Sequence, residues 1–325
     1  MDTVITQKRN LPLIATRETC SGKTYIVTGA NTGLGYEAAK HLVSLGAACV
    51  ILAVRNVEAG NKAKAEIEAA TGALGVAEVW ALDLCSYDSV KAFAKRGVDE
   101  LSRIDGLIEN AGIGATHRTV VEGHVATVTV NVLSTFLLAV LLLPKLSETA
   151  RTSGGLAHLV VVSSRRAFDA GEDWRKIRDG PLVKMDAEDA PPRSIYPLSK
   201  LLEYMTVRHL ARLLPLANTG VIINVVCPGF CATQLFRDAP ESMQSQIQER
   251  RRLYGRTAED GSRTLLHAVV AGQESHGKLL HSCEIGENDV PDWAKNDETG
   301  QEHTWGAVAK ELEAAAPASV SRILQ

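Results

Sequence analysis

The chain has 325 residues, a formal net charge of -3 and a pI near 6.3, with 45% hydrophobic and 22% charged residues. That composition supports a large folded core and argues against disorder, and it supplies neither the basic field that nucleic acid requires nor a polybasic membrane surface. The 6 cysteines, at positions 20, 49, 85, 227, 231 and 283, form no C-x-x-C pair, so neither a disulfide framework nor a metal site is expected.

Residues 1–22 read as an N-terminal extension, polar apart from Leu11 to Ala15, and no function is assigned to them. Met1 to Arg17 has no signal-peptide core, and the longest strongly apolar run, Phe136 to Leu143, is too short to span a bilayer; a reducing, cytoplasmic setting is the expectation. Residues 23–325 read as one domain, with no internal repeat beyond a βα alternation and no dividing linker.

From Thr24 the pattern runs strand, turn, helix, strand. Tyr25 to Thr28 is β-rich, a glycine turn extends from Gly29 to Gly35, a helix from Tyr36 to Leu45 stops at Gly46, and an apolar strand covers Ala47 to Val54. A glycine-rich first turn inside a βαβ unit allows close approach of the backbone to a ligand, and the helix that follows presents free N–H groups to a pyrophosphate. The spacing is G-x-x-x-G-x-G, carried by Gly29, Gly33 and Gly35.

Thr28-Gly-Ala-Asn-Thr-Gly-Leu-Gly35 resembles the cofactor turn of the short-chain dehydrogenase/reductase superfamily, and Tyr36-Glu37 is similar to its retinol-dehydrogenase-like branch. The resemblance implies a doubly wound α/β (Rossmann) fold, a seven-stranded parallel sheet with helices on both faces, and contacts from Asn31, Thr32 and Leu34 within the turn. Beyond the second strand stand Arg55 and Asn56, with no carboxylate before Glu58. A carboxylate there would hold a ribose 2′-OH and a guanidinium would hold a 2′-phosphate, so NADP(H) is the expected cofactor, with Arg55 as its clamp.

The alternation continues with a helix from about Val57 to Ala70, a strand from Val76 to Leu82, a helix from Ser86 to Leu101 and a strand from Ile104 to Glu109. Asp83-Leu84 matches the family's adenine-contacting pair, and Asn110-Ala111-Gly112 its motif closing the sheet around the adenosine half. Glu109 stands where many members have Asn. A long helix from Glu122 to about Ser147 carries Asn131, which the resemblance makes the catalytic asparagine that bends the helix and holds a water.

The strand Leu156 to Val162 ends in Ser163-Ser164. The resemblance assigns the catalytic serine to Ser164 rather than Ser163. The insertion from Phe168 to Ser194 reads as a loop bordering the substrate mouth, in which Trp174, Ile177 and Leu182 either cover an apolar substrate or anchor the loop. Tyr196-Pro-Leu-Ser-Lys200 opens a helix running to about Leu214, with Pro197 in its first turn, so residues 196 and 200 share one face. A neighbouring ammonium lowers a phenol by roughly 1–3 units, which suits a general acid. The superfamily's Y-x-x-x-K pair maps onto Tyr196 and Lys200, which would also contact the cofactor.

A strand from Val221 to Val226 leads into Pro228-Gly229 and Thr233, which resemble the family's nicotinamide-binding turn. Gln234 to Tyr254, with Arg250 to Arg252, reads as a mobile substrate-binding helix pair. A helix from Thr257 to Ala271, a seventh strand from Gly277 to His281 and a helical tail from about residue 284 complete the chain. In the tail Trp305, Val308 and Leu312 fall on one helical face. The expected activity is reduction of a ketone or aldehyde, or oxidation of the alcohol, in a largely apolar small molecule: a polyketide-like or other secondary metabolite, or a retinoid- or steroid-like compound. Non-redox cyclisation or isomerisation and a silent nucleotide sensor are the alternatives, and homo-oligomer formation is left open.

Overall fold

The computed structural model describes residues 4–115, 117–233, 235 and 240–325, the side chain of Met243 excepted. Its central sheet holds strands β1 (Thr24–Thr28), β2 (Cys49–Val54), β3 (Ala77–Ala81), β4 (Gly106–Glu109), β5 (Ala157–Val162), β6 (Val221–Cys227) and β7 (Leu279–His281). A short eighth strand, β8 (Glu284–Ile285), joins one edge, and the spatial order is β8-β7-β6-β5-β4-β1-β2-β3. The seven strands expected from the sequence are all parallel; β8 is antiparallel to β7 and corrects the strand number to eight. Two residues of strand are too few to register as a periodic pattern, which is why the sequence hides it.

The inner strands β1, β2, β5 and β6 are apolar at almost every position and buried along their length, as parallel strands covered on both faces must be. Helices α1 (Gly33–Ser44), α2 (Val57–Thr71), α3 (Tyr87–Glu100), α4 (Ala126–Ser153), α5 (Pro192–Leu213) and α7 (Ala258–Val270) flank the sheet, while α6 (Glu241–Tyr254) borders the cleft at its end and α8 (Glu298–Ala315) packs on α5. One core cluster, packed around α4 and α5, includes Phe136, Leu138, Leu201 and Met205; the other, around α1 and α7, includes Ala38, Leu42, Leu265 and Leu266. Strand β1 sits between β2 and β4, so the chain reverses its direction of travel across the sheet at β1/β4. A crevice opens at the carboxyl ends of the strands at such a reversal.

Helix α4 begins later than expected. Glu122 lies in the tight turn of a two-stranded ribbon, 120–125, with φ of +52°, and the helix starts at Ala126. It is the one helix among the described residues long and apolar enough to cross a membrane, and 94% of its apolar window is buried inside the protein. Helix α5 begins earlier than expected: Pro192 takes its first turn and Pro197 lies inside it.

The insertion before Tyr196 is structured rather than a loop. It forms a 3-10 turn, Arg165–Ala170, and two short helices, Gly171–Ile177 and Pro181–Met185. Trp174 is buried and its Nε1 donates to Asp297 Oδ2 at 2.9 Å, so it anchors the insertion to the C-terminal region rather than covering a substrate. Trp305, Val308 and Leu312 are buried on the inner face of α8, which packs on α5.

Candidate active site

A cleft of about 1750 Å³ lies over the carboxyl ends of β1, β4, β5 and β6. Its floor at β1 is the glycine turn. Gly29 and Gly33 have φ of +67° and +62°, a region L side chains rarely adopt. A Cβ at Gly35 would stand 2.5 Å from Asn110 Nδ2 and 2.6 Å from the Gly29 carbonyl oxygen, so only glycine permits this packing. The N-cap residue of α1, Thr32, makes no side-chain cap bond, which leaves the first N–H groups of α1 to meet an anion. Gly29, Asn31, Thr32, Gly33 and Leu34 line the cleft, while Gly35 lies beneath it.

The motif after β4 closes onto this turn. Asn110 Nδ2 donates to the Thr28 carbonyl at 2.8 Å, the Ala111 N–H donates to Thr28 Oγ1 at 2.9 Å, and Asn110, Ala111 and Gly112 all line the cleft. On the opposite side Pro228, Gly229 and Thr233 form a wall, with the Thr233 methyl 3.7 Å from where a Cβ on Gly33 would be. The structure therefore brings the two turns face to face across a gap.

The polar centre is built from three elements. Ser164 follows β5, caps the 3-10 turn by accepting from the Arg166 N–H at 3.2 Å, and shares a hydrogen bond with the Tyr196 phenol. Tyr196 and Lys200 lie on α5, and the Lys200 Nζ is 5.9 Å from the Tyr196 ring centroid. Ser163 also lines the cleft, but its Oγ is committed to the Lys200 carbonyl, to which it donates at 2.7 Å. Asn131 sits in a π-helical segment, Thr129–Ser134, the local distortion that the family resemblance led one to expect. Its Oδ1 accepts from the Ile113 N–H at 2.9 Å, and its Nδ2 donates to the Ile113 carbonyl and to Ser199 Oγ, both at 3.0 Å.

The electrostatics of this centre depart from the sequence expectation. The Tyr196 phenol is pushed up, above its ordinary range, by burial first and then by the Glu203 carboxylate; its hydrogen bond with Ser164 and the Arg166 charge only partly offset this. Burial outweighs the expected acidification, and the Lys200 Nζ donates to Glu203 Oε1 at 2.7 Å and to the Val162 carbonyl at 2.9 Å. Glu203 was not singled out in the sequence, where it reads as one more polar residue on a helix.

At the adenosine end the expected residues lie outside the cleft lining. Arg55 is exposed at the end of β2, its guanidinium beside the Cys85 thiol. Asp83 Oδ1 accepts from the Cys85 N–H at 2.9 Å, a local turn, and Leu84 is buried; Ser86, not Asp83, caps α3.

The N-terminal extension is the other element the sequence did not assign. Gln7 Oε1 accepts from the Phe230 N–H at 2.9 Å, and its Nε2 donates to the Phe230 and Tyr254 carbonyls at 3.0 and 2.7 Å. Buried Arg256 donates to the Lys8 carbonyl at 2.7 Å and to the Pro228 carbonyl at 2.6 Å. The extension thus straps the turn after β6 and lines the cleft with Thr6, Gln7 and Lys8. Such a role depends on contacts more than 200 residues apart, and no local pattern carries it. Of the helix pair expected over 234–254, Gln234 and residues 236–239 lie outside the described residues; the described part is α6, from which Arg250 and Arg251 line the cleft, while Arg252 pairs with Glu249.

Comparison with known proteins identifies relatives of the chain and solved structures that share its fold. The family model described as short chain dehydrogenase matches residues 23–175. The short chain dehydrogenase/reductase dmxR8 of Cryptosporiopsis sp. (strain 8999) is 41% identical over 306 residues, covering 93% of this chain and 94% of that protein. The short-chain dehydrogenase anuD of Penicillium roqueforti (strain FM164) is 36% identical over 304 residues, covering 91% and 79%. Among solved structures, a short-chain type dehydrogenase/reductase from Mycobacterium marinum superposes with a TM-score of 0.62 at 22% identity, covering 83% of this chain and 96% of that one. A short chain dehydrogenase from Shigella flexneri 2a, complexed with NADP, gives 0.60 at 23% identity, covering 83% and 100%. At such identities the structural likeness carries the fold alone.

Proposed function

The chain belongs to the short-chain dehydrogenase/reductase family, and from that premise we propose that it is an NADP(H)-dependent oxidoreductase that reduces a ketone or aldehyde of a largely apolar small molecule. The observation that carries the reading is the convergence of Ser164, Tyr196 and Lys200 between the glycine turn and the Pro228-Gly229 turn of one cleft.

The residues fit a dinucleotide. Gly29, Asn31, Thr32, Gly33 and Leu34 would hold the pyrophosphate at the uncapped start of α1; Asn110, Ala111 and Gly112 would border the ribose; Pro228, Gly229 and Thr233 would orient the carboxamide. Asp83 and Leu84 would serve the adenine and exposed Arg55 the 2′-phosphate, with charge-assisted bonding as the reason for preferring the phosphorylated form. When bound, the nicotinamide supplies a hydride to the carbonyl carbon. The Ser164 hydroxyl donates to the substrate oxygen and the Tyr196 phenol gives it a proton, two groups already within hydrogen-bond reach of one another. Lys200 Nζ, 5.9 Å from the Tyr196 ring centroid and 3.5 Å from where a Cβ on Gly112 would be, would border the ribose. Asn131 fixes the Ile113 backbone and the Ser199 hydroxyl from its π-helical segment, and it would position a water linking Lys200 to solvent.

The apolar substrate class rests on a lining that joins Val4, Leu235, Ile247 and Phe230 to the polar centre, and on relatives drawn from fungi. The test is incubation with NADPH deuterated at C4 and a panel of apolar ketones and aldehydes, followed by mass spectrometry of the alcohols. Deuterium on the carbinol carbon of at least one alcohol is expected. Isomerised or cyclised product without label would favour the non-redox use of the fold, and cofactor binding with no product would favour a silent sensor.

A further inference from the structure

A chain terminus frays unless it is tied down, and the N-terminal strap is tied down by side chains from the other end of the chain. The Asn10 and Leu11 N–H groups donate to Asp260 Oδ2 and Oδ1 at 3.1 and 2.6 Å, Arg263 donates to the Leu11 carbonyl, and Arg256 donates to the Lys8 carbonyl at 2.7 Å. Leu11 is buried, so this anchor limits where the residues before it can lie. Val4, Thr6, Gln7 and Lys8 line the cleft.

The Gln7 amide meets the turn after β6 as a neighbouring strand would. Its Oε1 accepts from the Phe230 N–H at 2.9 Å and its Nε2 donates to the Phe230 carbonyl at 3.0 Å, so both polar groups of one backbone residue are bound by one side chain. The same Nε2 donates to the carbonyl of Tyr254, the last residue of α6, at 2.7 Å. Main chain holds this segment as well: the Arg256 N–H donates to the Phe230 carbonyl and the Ala232 N–H to the Arg256 carbonyl, both at 2.9 Å. Gly229 is packed onto these groups. Its φ is +84°, and a Cβ there would stand 2.5 Å from Arg256 Nη1 and 2.6 Å from Gln7 Oε1.

We propose that Gln7 is a positioning residue for the nicotinamide half of the dinucleotide: it holds the Pro228-Gly229-Phe230 turn in place and fixes the spacing of that turn from α6, which makes the N-terminal strap part of the active site. The inference rests on the turn facing the nicotinamide, as proposed above. Gln7 acts through backbone, and its hydrogen bonds go to Phe230 and Tyr254, not to the glycine turn that would hold the pyrophosphate. Its loss should therefore weaken the hold on the nicotinamide and spare the adenosine half. Coupling of this kind is reciprocal, so a seated nicotinamide should in turn tighten the strap.

The experiment compares NADPH with 2′-phospho-ADP-ribose, the same molecule without its nicotinamide, on the full-length protein. Titration calorimetry of Gln7→Leu, which keeps the bulk of the side chain and removes all three hydrogen bonds, is expected to show NADPH affinity lower by about tenfold with 2′-phospho-ADP-ribose affinity unchanged. Equal loss for the two ligands, or loss for neither, overturns the proposal. A second arm needs no variant: in the wild type, amide hydrogen exchange over residues 4–12 is expected to slow when NADPH binds and not when 2′-phospho-ADP-ribose binds. The same exchange with both ligands overturns the proposal too. Binding of both ligands without these differences removes the role of Gln7 and leaves the dinucleotide reading standing, whereas a wild type that binds neither overturns both.

Discussion

Tyr196, Lys200 and Glu203 occupy successive turns of one helix and lead from the cleft to a buried ion pair, Lys200 with Glu203 at 2.7 Å. Tyr196 and Lys200 were legible in the sequence because a family motif marks them; Glu203 was not, because only the fold reveals that its face of α5 turns inward under β5. Its burial has a consequence for stability. Burial pushes the Glu203 carboxyl up from 4.5 to about 7, with Lys200 and Ser163 offsetting part of the effect. A group whose folded value is raised binds its proton more tightly in the native state, so its contribution to stability is complete below about pH 4.5 and is lost as pH rises through about 7. Denaturant melts across that window should therefore show wild-type stability falling more steeply with pH than that of Glu203→Gln, by up to about 1.4 kcal/mol per pH unit. Equal slopes would contradict the assignment.

At the scale of elements, the glycine turn and the Asn110-Ala111-Gly112 turn form one packed unit, and Gly35 is where they touch. Glycine spacing between a strand and a helix is a local pattern, so the turn was readable; its closure by Asn110 was readable only through the family motif. The strap made by Gln7 and Lys8, and the helices that replace the expected loop at 165–185, were not readable, since their backbone is held by Tyr254, Arg256 and Asp297 from the far end of the chain. Gly35→Ala tests the unit. The added methyl meets a backbone oxygen at 2.6 Å, so overpacking should cost about 1–3 kcal/mol in stability and weaken NADPH binding. Thermal melts with and without NADPH check both; an unchanged melting temperature with full cofactor-induced stabilisation would contradict it.

For the whole molecule, the crossing at β1/β4 places the cleft, and the alternation of strands and helices made that architecture plain from the sequence except for β8. What the cleft selects was less legible: the proposed 2′-phosphate clamp, Arg55, is exposed and outside the cleft lining, and α6 and the N-terminal strap, which do line the cleft, carry no local sequence signal. Arg55→Glu should lower kcat/KM for NADPH by about 10–100-fold, the worth of one hydrogen bond to a charged group, while leaving NADH equal or improved. Parallel loss with both cofactors would contradict a role in reading the 2′-phosphate.

In the proposed reaction Tyr196 delivers the proton that accompanies hydride transfer to a carbonyl. The most direct test is single-turnover oxidation of NADPH by wild type and Tyr196→Phe with the same reducible carbonyl, alongside NADPH affinity by fluorescence. A rate lower by about 10²–10⁴-fold with cofactor affinity essentially unchanged is expected in Tyr196→Phe; equal rates in the two proteins would contradict proton delivery by Tyr196.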